Sequence, residues 1–258
     1  MNHRNLIVFG STSAIAKLCI PYLDFDNEKI FSFNRMNSKP TEDSYILKEN
    51  QFEIDFSQEE IFDSVFNKKL KELTSSPCVI LNFMGVFGEI QPVSSLDIKT
   101  VLSENNENLL PFLSIAKMMR NFPSGTAVIS FSGAGVGGEN LDDSSLGYLS
   151  AKASMSILVE AIDRQLAPAG IRFGLVAPGA FPSPMQNKVA EENEFKIPND
   201  RIQRARDVMN STPNAERLIL LLKFLINNPF ELGGRTWSAN FDELTEKSGN
   251  FGKLRRMY

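Results

Sequence analysis

The chain has 258 residues, 42% of them apolar, enough for a sizeable core in one large α/β domain. Its formal net charge of -4 and pI of about 5.3 come without the basic clustering that a nucleic-acid surface needs. No apolar run approaches the roughly 20 residues of a membrane helix, and the single histidine, His3, leaves no base for Ser-His-Asp or Cys-His chemistry and few ligands for zinc.

The first apolar run, Leu6-Ile7-Val8-Phe9, is too short for a signal peptide and reads as a buried strand. It enters the small-residue turn Gly10-Ser11-Thr12-Ser13-Ala14-Ile15-Ala16 and then a helix to about residue 23. Strand, small-residue turn and helix form the layout of a dinucleotide phosphate loop. Gly10 suits the tight turn, and small residues at 14 and 16 suit close approach to a pyrophosphate and close helix packing. Those two are alanines, with less backbone freedom than glycine. On this stretch alone, an ordinary strand-to-helix turn is an equal reading.

A second strand, 29–33, ends at Asn34-Arg35. An acidic residue there would bind the adenosine ribose of NAD; its absence, with Arg35, Ser38 and Lys39 present, leans towards the 2′-phosphate of NADP. Arg35 is otherwise a solvated loop charge. The third strand, 51–56, carries Asp55 at its end, and 57–73 follows as an amphipathic helix. The most apolar strand, Cys78 to Leu81, leads into Asn82-Phe83-Met84-Gly85. An asparagine leaving a buried strand ties backbone groups together, and Gly85 lets a ligand come close. Cys78 and Cys19 lack metal-ligand spacing and read as buried thiols in a reducing cytoplasm.

Residues 94–119 carry a long helical pattern, interrupted by Glu104-Asn105-Asn106-Glu107-Asn108. Asparagine is a poor mid-helix residue, so these face solvent or one is turned into a site. A fifth strand, 125–132, delivers Ser132 to the carboxyl edge, where ligands bind in open parallel sheets. After the Gly-rich loop 133–146, a helix to about 167 opens with Gly147-Tyr148-Leu149-Ser150-Ala151-Lys152. Residues four apart share a helix face. An ammonium beside a phenol favours the phenolate, so this pair can move a proton to or from an alcohol or carbonyl oxygen. Alone, the pair is also an ordinary helix start. A sixth strand, 171–176, leaves through Ala177-Pro178-Gly179-Ala180-Phe181-Pro182-Ser183. Residues 186–212 are charged with weak periodicity and read as short helices forming a lid, the lid segment as a whole being 184–212. An apolar helix, 215–227, a last strand, 235–238, and a polar, loosely packed tail complete the chain.

The order of these motifs resembles the short-chain dehydrogenase/reductase family across about residues 5–240. The resemblance implies one Rossmann-type domain over 1–258: a doubly wound parallel sheet in a three-layer α/β/α arrangement, with the lid at 184–212. It implies catalytic roles for Ser132, Tyr148 and Lys152 and for a helix asparagine. Counting from Val101-Leu102 puts that asparagine at Asn105; counting back from Pro111-Phe112 falls at Glu107, between Asn106 and Asn108; Asn105 is favoured. Implied dinucleotide contacts are Gly10, Ser11, Thr12, Ser13, Ala14 and Ile15 in the loop, and Asn34 and Arg35 after the second strand. Asp55 and Phe56 follow at the adenine, and Asn82, Met84 and Gly85 after the fourth strand. Tyr148, Lys152, Pro178, Gly179, Phe181 and Ser183 complete the set at the nicotinamide end.

The expected activity is NAD(P)-dependent interconversion of an alcohol and a carbonyl, with NADP(H) favoured over NAD(H), on a small-molecule substrate in the cytoplasm. A weak similarity of residues 233–242 to family members of surface-polysaccharide synthesis points to a sugar or sugar-nucleotide. A catalytically silent NADP-binding regulatory protein and a sugar-nucleotide epimerase or dehydratase are the competing readings. The resemblance further implies a homodimer or homotetramer paired through the helices at 94–119 and 148–167, without nucleic-acid or membrane partners.

Overall fold

The computed structural model describes residues 4–35, 50–54, 73–133, 145–240 and 242. Within them, seven strands join one parallel sheet: β1 (Asn5–Phe9), β2 (Ile30–Arg35), β3 (Gln51–Ile54), β4 (Cys78–Asn82), β5 (Ala127–Phe131), β6 (Arg172–Ala177) and β7 (Thr236–Ser238). Their order across the sheet is β3-β2-β1-β4-β5-β6-β7, and every neighbouring pair is parallel. The chain winds outward in one direction from β1 to β3 and in the other from β4 to β7. A crevice therefore opens beyond the carboxyl ends of β1 and β4.

Alternation along the strands assigns each side chain to a face. Ile7, Phe9, Cys78, Ile80, Val128 and Phe173 point into one layer, with α2 (Ile98–Met118) and α3 (Leu146–Leu166) supplying Phe112, Ile115, Met155 and Val159. Leu6, Val8, Val79, Leu81 and Ile129 point into the other, against Ala16 and Cys19 of α1 (Ala14–Cys19) and the leucines of α6 (Glu216–Asn227). Burial on both faces explains why these strands read as continuous apolar runs. The thiols of Cys19 and Cys78 lie in these layers, where burial pushes each up to about 12.

The segment anticipated as weakly periodic contains α4 (Pro184–Ala190) and α5 (Asn199–Asn210). Val189, Ile197, Ile202 and Ala205 enclose a small core of their own with Ile90. The helical pattern expected from residue 94 begins later. Asp97 caps α2, accepting from the Lys99 amide at 3.0 Å, and a single 3-10 turn at Val93–Ser95 precedes it. The expected helix at 57–73 lies almost wholly outside the described residues, and most of the tail does too.

One ion pair locks the helix layer to the sheet. Asp163, near the end of α3, accepts from Arg172 Nε at 3.0 Å and from its terminal nitrogen at 2.7 Å, and also from the Phe173 amide at 2.8 Å. The Asp163 side chain is 6% exposed. Asp163→Ala strands a guanidinium and a buried amide, so it lowers unfolding stability by about 2–3 kcal/mol. Urea denaturation measures the loss.

Candidate active site

Four strand ends meet at the carboxyl edge of the sheet. β1 continues into Gly10, β4 into the 83–85 turn, β5 into Ser132, and β6 into Pro178-Gly179. The ladder extends past the strands: the Gly10 amide donates to Phe33 O at 2.8 Å, Phe83 to Phe9 O at 2.9 Å and Ser132 to Val176 O at 2.9 Å. Gly10 has φ of +76°, and a Cβ there would stand 3.2 Å from the Met84 amide nitrogen. Glycine is thus required both by backbone geometry and by the approach of the β4 turn. Ala14 and Ala16 differ: neither has positive φ, Ala14 opens α1 and Ala16 is fully buried against the sheet. The glycine freedom absent from those positions is not used there. Ser13 caps α1 by accepting from the Ala16 amide at 3.1 Å, beside the exposed Thr12 and half-buried Ile15. Ser11 donates to Asn34 Oδ1 at 3.0 Å, joining the loop to the end of β2.

Asn82 is 2% exposed; its amide donates to Ser130 Oγ at 3.2 Å and its oxygen accepts from the Met84 amide at 3.1 Å. It therefore ties β4, β5 and the turn together. That turn presents Gly85 to the crevice. A Cβ on Gly85 would lie 3.5 Å from Lys152 Nζ, 3.5 Å from Asn108 Oδ1 and 3.8 Å from Tyr148 Cε2. Three polar side chains from two helices thus converge on one backbone position.

Lys152, 3% exposed, donates to Phe131 O at 2.9 Å, and its ammonium lies 5.4 Å from the centre of the Tyr148 ring. Burial lowers its pKa from the ordinary lysine value to about 8. Tyr148 is 6% exposed, with Phe87 edge-on to its ring at 5.6 Å. Its hydroxyl would stand 2.7 Å from a Cβ on Gly133, the residue after Ser132. Tyr148 thus reaches the residue that follows Ser132, just beyond the end of β5.

Of Asn105, Asn106 and Asn108, the structure brings Asn108 to Gly85. Asn105, favoured from spacing, donates to Ser150 Oγ at 2.7 Å on the flank where α2 meets α3. Asn108, 4% exposed, lies with Lys152 against Gly85; its oxygen accepts from the Val86 amide at 2.9 Å and its amide donates to Val86 O at 3.0 Å. The reason is helical phase. Asn108 stands four residues before the fully buried Phe112, on the face turned to the core, and Asn105 is a turn earlier and rotated away. Counting that buried stripe backwards from Phe112 would have found it. Asn106 and Glu107 are exposed.

On the far wall, Pro178 is buried and Gly179 has φ of +91°, close against Asn240. Phe181 is 7% exposed in the second core layer. Ser183 caps α4, accepting from the Gln186 amide at 3.3 Å. Arg35 ends β2 with its side chain outside the described residues, and Asp55 and Phe56 lie outside them altogether. Three residues went unread in the sequence: Phe87 against Tyr148, Glu104 one turn before Asn108, and Lys188, which donates to Gly88 O at 2.8 Å and joins α4 to the 86–90 segment.

The set fits a dinucleotide on its own geometry. An ammonium has three donors, and that of Lys152 uses one on Phe131 O among the described residues. Gly85, exposed beside it, carries no side chain. The loop 10–15 would hold the phosphates, and Lys152 the nicotinamide ribose.

A family description, short chain dehydrogenase, matches residues 4–194. A search of curated proteins by sequence finds no match. A short chain dehydrogenase/reductase from Saccharomyces cerevisiae aligns at a TM-score of 0.72 and 15% identity, over 92% of this chain and 96% of that one. Pseudomonas aeruginosa RhlG, solved as an active-site complex with NADP, aligns at 0.68 and 17% identity, over 92% and 95%. A short chain dehydrogenase from Leptospira borgpetersenii with bound NAD+ aligns at 0.64 and 15% identity, over 92% and 91%. At such identities the superpositions speak for the fold, whereas the family match spans most of the chain. With a doubly wound parallel sheet and Tyr148, Lys152 and Asn108 gathered at its switch point, the chain belongs to the short-chain dehydrogenase family of oxidoreductases.

Proposed function

We propose that this oxidoreductase interconverts an alcohol and a ketone or aldehyde, with NADP(H) preferred over NAD(H) and a sugar or sugar-nucleotide as substrate. The observation that carries the reading is the convergence of Tyr148, Lys152 and Asn108 on Gly85, with the Tyr148 hydroxyl against Gly133, the residue after Ser132. The dinucleotide, when bound, supplies or accepts the hydride.

Tyr148 is the acid/base. Its phenol gives a proton to the substrate oxygen during reduction and takes it back during oxidation. Lys152 stabilises the phenolate electrostatically across the ring it overlies. With its pKa at about 8, it remains mostly ammonium at neutral pH. Ser132 donates to the substrate oxygen and fixes it against Tyr148. Asn108 takes the supporting role expected of a helix asparagine, holding the Val86 backbone and, with Lys152, a proton-relay water. The pair α4 and α5 forms the lid over the substrate. The cofactor preference rests on Arg35 at the end of β2, and the substrate class on the similarity of residues 233–242. Ile98, Leu102 and Leu113 on α2 and Ile157 on α3 are exposed, an apolar strip suited to a second copy of the chain; sedimentation velocity reads the mass.

Tyr148→Phe keeps the ring and its contact with Phe87 but removes the proton, so kcat on a carbonyl panel falls roughly 10²–10⁴-fold. Retention of full turnover removes Tyr148 from its role. NADPH binds more tightly than NADH in fluorescence titration; the opposite order ends the NADP reading.

Lys152→Met has opposite effects on stability and activity. The folded chain binds the Lys152 proton less tightly than the unfolded chain does, since the pKa falls from 10.5 to about 8. That penalty is complete below pH 8 and is relieved as pH rises from 8 to 10.5. Lys152→Met is therefore more stable than the natural protein at pH 7, by about 1–3 kcal/mol after loss of the Phe131 hydrogen bond. The advantage shrinks across the window above pH 8, and turnover is lost. Thermal unfolding at several pH values reads it.

A further inference from the structure

Glu104 is a charged residue in the middle of α2, yet it is only 7% exposed. A carboxylate is buried at a cost unless donors surround it. Here one oxygen accepts from the Glu89 amide and the other from Ser145 Oγ at 3.3 Å. The group passes between two glycines: a Cβ on Gly88 would stand 1.8 Å from its carboxyl carbon, and one on Gly147 2.5 Å from an oxygen. Neither position has room for a side chain while Glu104 is in place.

Both partners lead to Tyr148. Ser145 is the N-cap of α3, and its oxygen accepts from the Tyr148 amide at 3.4 Å. A hydroxyl has one proton and two lone pairs, and a carboxylate only accepts. Glu104 therefore claims the proton and turns a Ser145 lone pair towards the Tyr148 amide. The first turn of α3 has no acidic residue of its own, so Glu104 also brings a negative group to the positive end of that helix. On the other side, Asn108 holds Val86 and Glu104 holds Glu89, so one face of α2 grips the 86–89 segment at both ends. Phe87, between them, lies edge-on to Tyr148.

We propose that Glu104 is a positioning residue for Tyr148: through Ser145 it sets the first turn of α3, and through Glu89 it sets the segment that buttresses the Tyr148 ring. The proposal rests on the oxidoreductase reading for its kinetic consequence only; the positioning itself is measured without turnover.

The test is hydrogen exchange of the full-length protein, followed in peptides covering 86–91 and 145–150, with α6 as reference, alongside steady-state kinetics. Glu104→Met keeps bulk and removes both acceptors; Glu104→Gln keeps one acceptor, and the Ser145 hydroxyl can rotate to meet its amide. Glu104→Met is expected to exchange faster in both peptides with α6 unchanged. Its kcat falls about 10–100-fold, as expected for a misplaced catalytic group, while the KM for the dinucleotide stays within about twofold. Glu104→Gln recovers most of both losses. Natural exchange in both peptides of Glu104→Met overturns the proposal, and so does equal acceleration in α6, which marks a global effect. If Glu104→Met does not fold, Ser145→Ala decides: faster exchange at 145–150 alone supports the Ser145 link, and unchanged exchange there overturns it. Should the natural protein turn over no carbonyl, the oxidoreductase reading fails while the exchange result still stands or falls separately.

Discussion

A lysine ammonium at 3% exposure, hydrogen-bonded to the Phe131 carbonyl, is the constraint around which this fold is arranged. Burial costs the charged form enough to bring its pKa to about 8, so the surrounding structure must hold it there against that cost. It does so by covalent placement. Lys152 sits one turn beyond Tyr148 on α3, and α3 is clamped near its other end by the Asp163–Arg172 pair to β6. The helix cannot slide along the sheet to expose the ammonium without breaking that bidentate contact.

The parallel sheet does the remaining gathering. Four loops from distant parts of the sequence emerge at the same edge because every strand points the same way. The reversal of winding between β1 and β4 leaves the crevice there uncovered by a crossover helix. Asn82 and Gly10 then hold the two turns flanking that crevice at close quarters, one through side-chain hydrogen bonds and the other through its missing Cβ. Alanine replaces glycine at 14 and 16 without backbone strain, since both residues already belong to the helix.

The polar residues of α2 divide by helical phase. Glu104 and Asn108 face inward and hold the 86–89 segment, whereas Asn105 pairs with Ser150 on the flank and Asn106 faces solvent. Five consecutive polar residues carry no internal mark of which turns inward, so spacing alone favoured Asn105, whereas Asn108 is the one that lies against Gly85. The same limit applied to 186–212. Its apolar residues are few because they enclose only a small core with Ile90, which lies about a hundred residues earlier and is invisible to local periodicity.

The sequence by itself determined the order in which the strands appear, the tight turn at Gly10, and the placing of Tyr148 and Lys152 one turn apart on α3. Each of these depends on short-range rules: apolar runs for doubly buried strands, a small residue at a tight turn, and one helical turn between phenol and ammonium. Only the tertiary structure decided that Asn108 joins them, that Phe87 braces Tyr148, and that a buried carboxylate at Glu104 sits between Gly88 and Gly147. Those facts depend on contacts between α2, α3 and the 86–90 segment. Such contacts are set by how the helix layer packs on the sheet, and residues close in that packing leave no signature in their spacing along the chain.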